Sequence, residues 1–404
     1  MELRHIVLLV TVALSASGAC TRVESTTPPP AVSLADGGAA GETAGGAGSL
    51  AGGGGDGSGG EYVGAGGAPG SIELGVWPTF AADSTESRDV QAVLASVSVL
   101  SIGAATLPVA ERWDQLSGAT GSPRSAIWNR LDAMTQPFRD RGADVAFCID
   151  VVDRTQPAWP FAGELDSAGA SSAMERTIDE VFARYAGQLS HLCFGYELDH
   201  YLGSASSAGR RRLLAFLKDA VDYASHHPQR RSKTAIGVAL SLQALGATTS
   251  APLNDLLLGD EVVAVYDPLD ESAAPKAPDS VVEELQSALD TLAAAAGPKL
   301  PLTLFEVGYP SSKAAGSSEK AQLAFYDGLF GLLDTHRDDF GFVGVYGLAD
   351  RAQADCEAEA LAFSGASHPA EAQAWATARC SMGLRAESDK LAWADLTAAL
   401  SRFH

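Results

Sequence analysis

The 404-residue sequence lacks any run of 18 or more consecutive apolar residues, so nothing in it reads as a membrane-spanning helix. It is short of positive charge: 28 Lys and Arg stand against 50 Asp and Glu, for a formal net charge of −22. Binding phosphates calls for a basic face, so a balance this acidic argues against a nucleic-acid partner. Five cysteines occur without a CxxC pair or a Cys/His cluster at zinc spacing. No HExxH, EF-hand or Walker pattern is present, so neither a metal nor a nucleotide cofactor is expected. Patterned blocks of Leu, Val, Ile and aromatics recur after residue 72, which excludes a wholly disordered chain.

Glycine is abundant but uneven. Seventeen of the 42 glycines fall between Gly37 and Gly70. That window cannot bury a core, so residues 21–70 read as a disordered Gly/Ala/Ser-rich linker and the globular part as residues 71–404. Residues 1–20 carry a weakly basic start (Arg4, His5), an apolar run Ile6–Leu14 and small residues up to Cys20. This is the layout of a secretory signal peptide. Small residues running into a cysteine resemble the lipobox of bacterial lipoproteins, with Ser17 where leucine is usual. The expectation is an exported protein, lipidated at Cys20 and held at an outer membrane or cell surface, or else secreted. Export would allow Cys356 and Cys380 to form a disulfide, while Cys148 and Cys193 could be bridged or remain buried thiols.

From Ile72 onward short apolar runs alternate with amphipathic ones. Strands are expected at Ile72–Trp77, Val97–Gly103, Ala143–Val151, His191–Tyr196, Thr234–Leu240, Glu261–Tyr266, Leu302–Val307 and Gly341–Tyr346. Helices are expected at Arg88–Ala95, Ser125–Arg141, Ser172–Gln188, Gly209–His226, Pro252–Leu258, Asp279–Ala296, Ser318–His336 and Leu391–Phe403. Eight strands alternating with helices predict an α/β fold of the (β/α)8 TIM barrel type, expected as a monomer. An open doubly wound sheet is the rival, but no Gly-rich phosphate turn follows the first strand.

In such a barrel chemistry sits where strands end. Two acids close apolar runs there, Glu197 after the fourth strand and Glu306 in the seventh. A charge in that position is costly unless it faces a polar cleft. Two strands across the barrel from each other could bring both carboxyls to one bond of a sugar. Retaining glycoside hydrolysis needs them about 5–5.5 Å apart, one as nucleophile and one as acid and then base.

Four islands carry a resemblance. Phe305-Glu306-Val-Gly-Tyr-Pro-Ser-Ser312 resembles the "TE-x-G-(Y/W)-P-(S/T)" nucleophile segment of secreted (β/α)8 retaining glycoside hydrolases, the clan of cellulases, β-mannanases and endo-galactanases. Gly195-Tyr196-Glu197-Leu-Asp199-His-Tyr201-Leu202 resembles their "GNE-(V/I)-D-x-Y-L" acid/base segment. Val265-Tyr266-Asp267-Pro268-Leu269 resembles a strand-six segment whose tyrosine hydrogen-bonds the nucleophile. Met382-Gly383-Leu384 with Lys390-Leu-Ala-Trp393 resembles the run into the last helix. The resemblance implies Glu197 as acid/base, Glu306 as nucleophile, Tyr266 as its partner, and an oligo- or polysaccharide substrate. Tyr196 and Asp199 are candidate substrate contacts, and Trp77, Trp113 and Trp159 candidate platforms on which a sugar ring could stack. Tyr196 stands where those enzymes carry asparagine, and Tyr346-Gly347 where they carry tryptophan. These departures keep open an alternative, a non-catalytic glycan-binding or structural surface lipoprotein on a decayed barrel.

Overall fold

A computed structural model describes residues 72–403 apart from segments at 78–105, 118–123, 154–155, 162, 247–254, 271, 296–298, 355, 358–359, 361–368 and 385–388. Eight parallel strands close on themselves: β1 (Glu73–Val76), β2 (Thr106–Arg112), β3 (Asp144–Asp153), β4 (Leu189–Tyr196), β5 (Ala235–Ser241), β6 (Glu261–Tyr266), β7 (Leu302–Val307) and β8 (Phe340–Val345). Each pairs with its neighbour in sequence, and β8 pairs back to β1 with Glu73 opposite Phe342. This is the closed (β/α)8 barrel rather than the open sheet. A two-residue strand, Gln156–Pro157, folds back antiparallel on the end of β3.

The helices among the described residues are α1 (Trp113–Leu116), α2 (Arg124–Arg139), α3 (Ala168–Tyr185), α4 (Leu198–Ser204), α5 (Ser207–Ser225), α6 (Leu242–Gly246), α7 (Pro278–Ala294), α8 (Glu319–Thr335), α9 (Pro369–Cys380) and α10 (Leu391–Phe403). Their starts are chemically marked. The hydroxyls of Ser167, Ser206 and Ser318 accept from the backbone N–H three residues on, at the N-termini of α3, α5 and α8. On α3 the side chains of Met174, Ile178, Val181, Phe182 and Tyr185 form one buried stripe, the spacing that lays a helix against a sheet.

The second strand is where the expectation misses. Val97–Gly103 and the helix expected at Arg88–Ala95 lie outside the described residues, and the strand that pairs β3 over seven positions is Thr106–Arg112. Pro108 and the charged pair Glu111-Arg112 disguise it, because proline lacks the N–H a ladder uses. The helix expected at Pro252–Leu258 lies partly outside the described residues. Residues 255–258 do not form it, and the short α6 precedes them.

The barrel interior is layered. At the N-terminal ends of the strands, Glu73, Thr106, His191, Glu261 and Thr303 form a polar cluster. Above it Ala146, Cys148, Cys193, Ala239, Val263, Phe305 and Phe342 form an apolar plug. Cys148 and Cys193 face each other in register on β3 and β4 and are joined as a disulfide with Cα atoms 4.4 Å apart. A second disulfide joins Cys356 to Cys380.

Candidate active site

Glu306 reaches the open end of the barrel through a fault in the ladder. On β7, Leu304 pairs with Ala264 and Glu306 with Val265, so Phe305 has no partner on β6. On the other side Leu304 pairs with Val343 and Val307 with Val345, leaving Phe305 and Glu306 opposite Gly344 alone. Two residues against one is a β-bulge, and a bulge re-aims the side chain that follows it. Strict alternation would give Phe305 and Glu306 opposite faces. Here Phe305 joins the interior plug and Glu306 also turns inward, to Tyr196 and Arg379.

Two features make the bulge tolerable. A Cβ on Gly344 would lie 2.3 Å from the Phe305 carbonyl oxygen, so only glycine leaves room. The displaced carbonyl is then satisfied by the indole N–H of Trp77, which donates to it at 2.9 Å. Trp77 also packs edge-on against Phe305, with ring centroids 5.4 Å apart, and keeps part of its surface open. It holds the shelf from which the glutamate projects.

Glu197 follows β4 directly and adopts φ 53° and ψ 45°, left-handed backbone that a non-glycine residue enters at a cost of about 1–2 kcal/mol. Gly195, two residues before it, also has a positive φ of 83°. The sharp exit turns the chain from strand into α4 and leaves Glu197 buried, at 5% exposure. Strain at a buried acid on a strand end is the kind found at functional sites.

Tyr196, which precedes Glu197, reaches across to Glu306. Its hydroxyl donates to Glu306 Oε2 at 2.6 Å, so one tyrosine side chain bridges the end of β4 to the end of β7. Burial and the adjacent Glu306 charge raise the phenol well above its ordinary value, so it stays a donor. The other oxygen of Glu306, Oε1, accepts from Arg379 Nη1. Glu306 is 2% exposed, and desolvation pushes its carboxyl up to about 7. Arg379 and Tyr196 pull the other way, and Asp267 pushes with the burial.

Several sequence expectations are corrected. Tyr266 does not touch Glu306: its hydroxyl donates to Glu284 Oε2 at 2.7 Å, under α7, and the side chain is fully buried. The end of β6 directs it to the helix layer, and the bulge gives its expected place to Tyr196. Trp113 is no platform. It is fully buried, its indole donating to Thr177 Oγ1 at 3.1 Å and its ring packed against Phe161 and Phe216. It starts α1 after β2 instead of lying in a cleft loop. Asp199 spends both oxygens on Ser241, accepting from its backbone N–H and its hydroxyl at 2.7 Å each. It thereby fastens the first turn of α4 to the end of β5. Trp159 remains partly exposed beside Tyr201, with ring centroids 6.3 Å apart, as a platform would require.

Arg379 went unrecognised in the sequence, where it lies 73 residues from Glu306. The one signal was its place beside Cys380, within a predicted staple.

No family model and no curated protein matches the chain. Solved structures do resemble it. A variant of a GH5_18 protein from Bifidobacterium longum subsp. longum, in complex with Manb1-4GlcNAc, superposes with a TM-score of 0.59 at 14% identity. That match covers 82% of this chain and 78% of the other. The GH5_18 protein of Streptomyces cattleya in complex with GlcNAc gives 0.56 at 15%, over 82% and 80% of the two chains. An exo-beta-1,4-mannosidase from Opitutaceae bacterium strain TAV5 gives 0.56 at 13%, covering 82% of this chain and 59% of that one. The chain has the fold of these glycoside hydrolases.

Proposed function

We propose that this protein is a retaining glycoside hydrolase acting on a β-linked glycan, with Glu306 as nucleophile and Glu197 as acid/base. The observation that carries this reading is the Tyr196–Glu306 hydrogen bond. It brings the residue adjoining Glu197 into contact with Glu306, and both glutamates are buried at strand ends, which supports pairing them in one reaction.

In the first step the Glu306 carboxylate attacks the anomeric carbon while Glu197 protonates the departing glycosidic oxygen. In the second, Glu197 takes a proton from water, which attacks the same carbon and releases Glu306. Burial of Glu306 helps the first step, because forming the glycosyl ester removes a charge that desolvation disfavours. Arg379 and Tyr196 oppose that burial and keep the carboxylate populated near neutral pH. Trp77 and Trp159 offer partly open aromatic faces for sugar rings.

The test is hydrolysis of a panel of aryl β-glycosides and β-glycans by the purified protein. β-Mannosides come first, because similarly folded proteins bind Manb1-4GlcNAc. The expected product keeps the anomeric configuration by NMR, and Glu306→Ala lowers turnover by orders of magnitude. An inverted product, or full activity in Glu306→Ala, would refute the assignment. The engagement of both Glu306 oxygens favours a second reading, a barrel that binds glycan without cutting it. Binding across the panel with no hydrolysis and no labelling of Glu306 by an activated glycoside would select it. The two disulfides support export, and a lipid on Cys20 would be read from the mass of the mature N-terminal peptide.

A further inference from the structure

Arg379 closes the last turn of α9, yet its guanidinium is 5% exposed and lies at the mouth of the barrel. Nη1 donates both to Glu306 Oε1 and to Asp267 Oδ1, the second at 2.8 Å. The guanidinium carbon stands 4.1 Å from the Tyr346 ring centroid and 4.8 Å from that of Trp375. A cation so enclosed has little freedom to turn, and its plane fixes the plane of the carboxylate it meets.

The chain beyond Arg379 is moored at nearly every residue. Cys380 is bonded to Cys356, and its carbonyl accepts from Arg351 N–H at 3.1 Å. The Ser381 carbonyl accepts from the N–H and the hydroxyl of Ser311, in the loop after β7. The Gln322 side-chain amide donates to the carbonyls of Tyr309, Met382 and Gly383. Lys390 Nζ donates to Gly383 O at 2.6 Å and to Ser311 Oγ at 2.8 Å. A Cβ on Gly383 would lie 2.1 Å from the Ala349 carbonyl carbon, so this approach requires glycine. These bonds fix residues 380–384 to the loops after β7 and β8, and Arg379 comes immediately before them.

We propose that Arg379 is the positioning residue of the nucleophile, holding Glu306 ionised and in one plane, and that Asp267 tunes it by sharing the same guanidinium nitrogen. The proposal rests on the assignment of Glu306 above. Its electrostatics have opposite signs at the two partners. Removing the Arg379 charge takes away what favours the Glu306 anion. Removing the Asp267 charge takes away a repulsion and leaves Nη1 to Glu306 alone. A side chain present merely to fill space would produce neither shift.

The experiment is a carboxyl-carbon NMR titration of Glu306 in protein labelled at glutamate, the resonance assigned with Glu306→Gln. It is paired with the pH dependence of kcat/KM. Arg379→Met should raise the Glu306 midpoint by about one unit or more, the scale set by an adjacent arginine. Arg379→Lys should fall between it and the wild type, and Asp267→Asn should move the midpoint down. The acid limb of kcat/KM should follow in each variant. Should Arg379→Met fail to fold, the near-isosteric Asp267→Asn decides alone. An unmoved midpoint in either folded variant overturns the proposal. So does a midpoint that moves while the acid limb of kcat/KM stays in place. The titration needs no turnover, so failure of the hydrolase reading would show separately, as a wild type inactive on every glycan.

Discussion

Replacing His191 by glutamine should remove a pH-dependent part of the barrel's stability. In the polar layer at the N-terminal ends of the strands, His191 Nδ1 lies 2.9 Å from Glu261 Oε2, and Nε2 lies 3.4 Å from Glu73 Oε2. Thr106 donates to Glu73 and Thr303 to Glu261. Two carboxylates hold the imidazole protonated, raising it to about 10 against the desolvation that would lower it. Since the folded-state value is the higher, the contribution is whole below the unfolded value near 6.5 and disappears as pH climbs through 10. At 1.36 kcal/mol per unit the shift corresponds to on the order of 5 kcal/mol. Breaking one buried pair costs about 3–5 kcal/mol, which agrees. The depression of Glu73 to about 2 describes the same contact from the other side and is not added. Denaturant unfolding from pH 6 to 10 is the assay. The wild type should lose stability across that range relative to His191→Gln, the two curves converging near pH 10. Parallel curves would refute the charged cluster.

The remaining predictions concern the site. Trp77→Phe removes the donor to the bulged Phe305 carbonyl, so it should cost about 1–3 kcal/mol in thermal unfolding and lower kcat. Gly344→Ala places a methyl against that same carbonyl and should destabilise by about 1–3 kcal/mol, measured by denaturant midpoint. Tyr196→Phe deletes a donor to Glu306, so the acid limb of kcat/KM should move to higher pH. Tyr266→Phe should leave that limb in place and lower only the melting temperature, because its hydroxyl serves Glu284.

What could be read in the sequence was local. Apolar runs of strand length mark seven of the eight strands within a few residues of where they form, and 3.6-residue stripes mark helices such as α3. Serines stand at helix starts because their hydroxyls suit those backbone N–H groups. β2 was hidden by a proline and a charged pair, Pro108 and Glu111-Arg112. The choice between thiols and a bridge at Cys148 and Cys193 stayed open because it depends on register: Cys148 stands directly opposite Cys193.

The sequence by itself determined the alternation of strands and helices and set Glu197 and Glu306 at strand ends, since both follow from patterns within a dozen residues. Only the tertiary structure decided what holds Glu306. A bulge on β7 turns it inward, Gly344 leaves the space, Trp77 takes the orphaned carbonyl, and Tyr196 and Arg379 supply the donors. Each of those partners comes from another strand, loop or helix. Side-chain direction at a strand end depends on pairing with neighbours distant in sequence, and no periodicity within the strand records that.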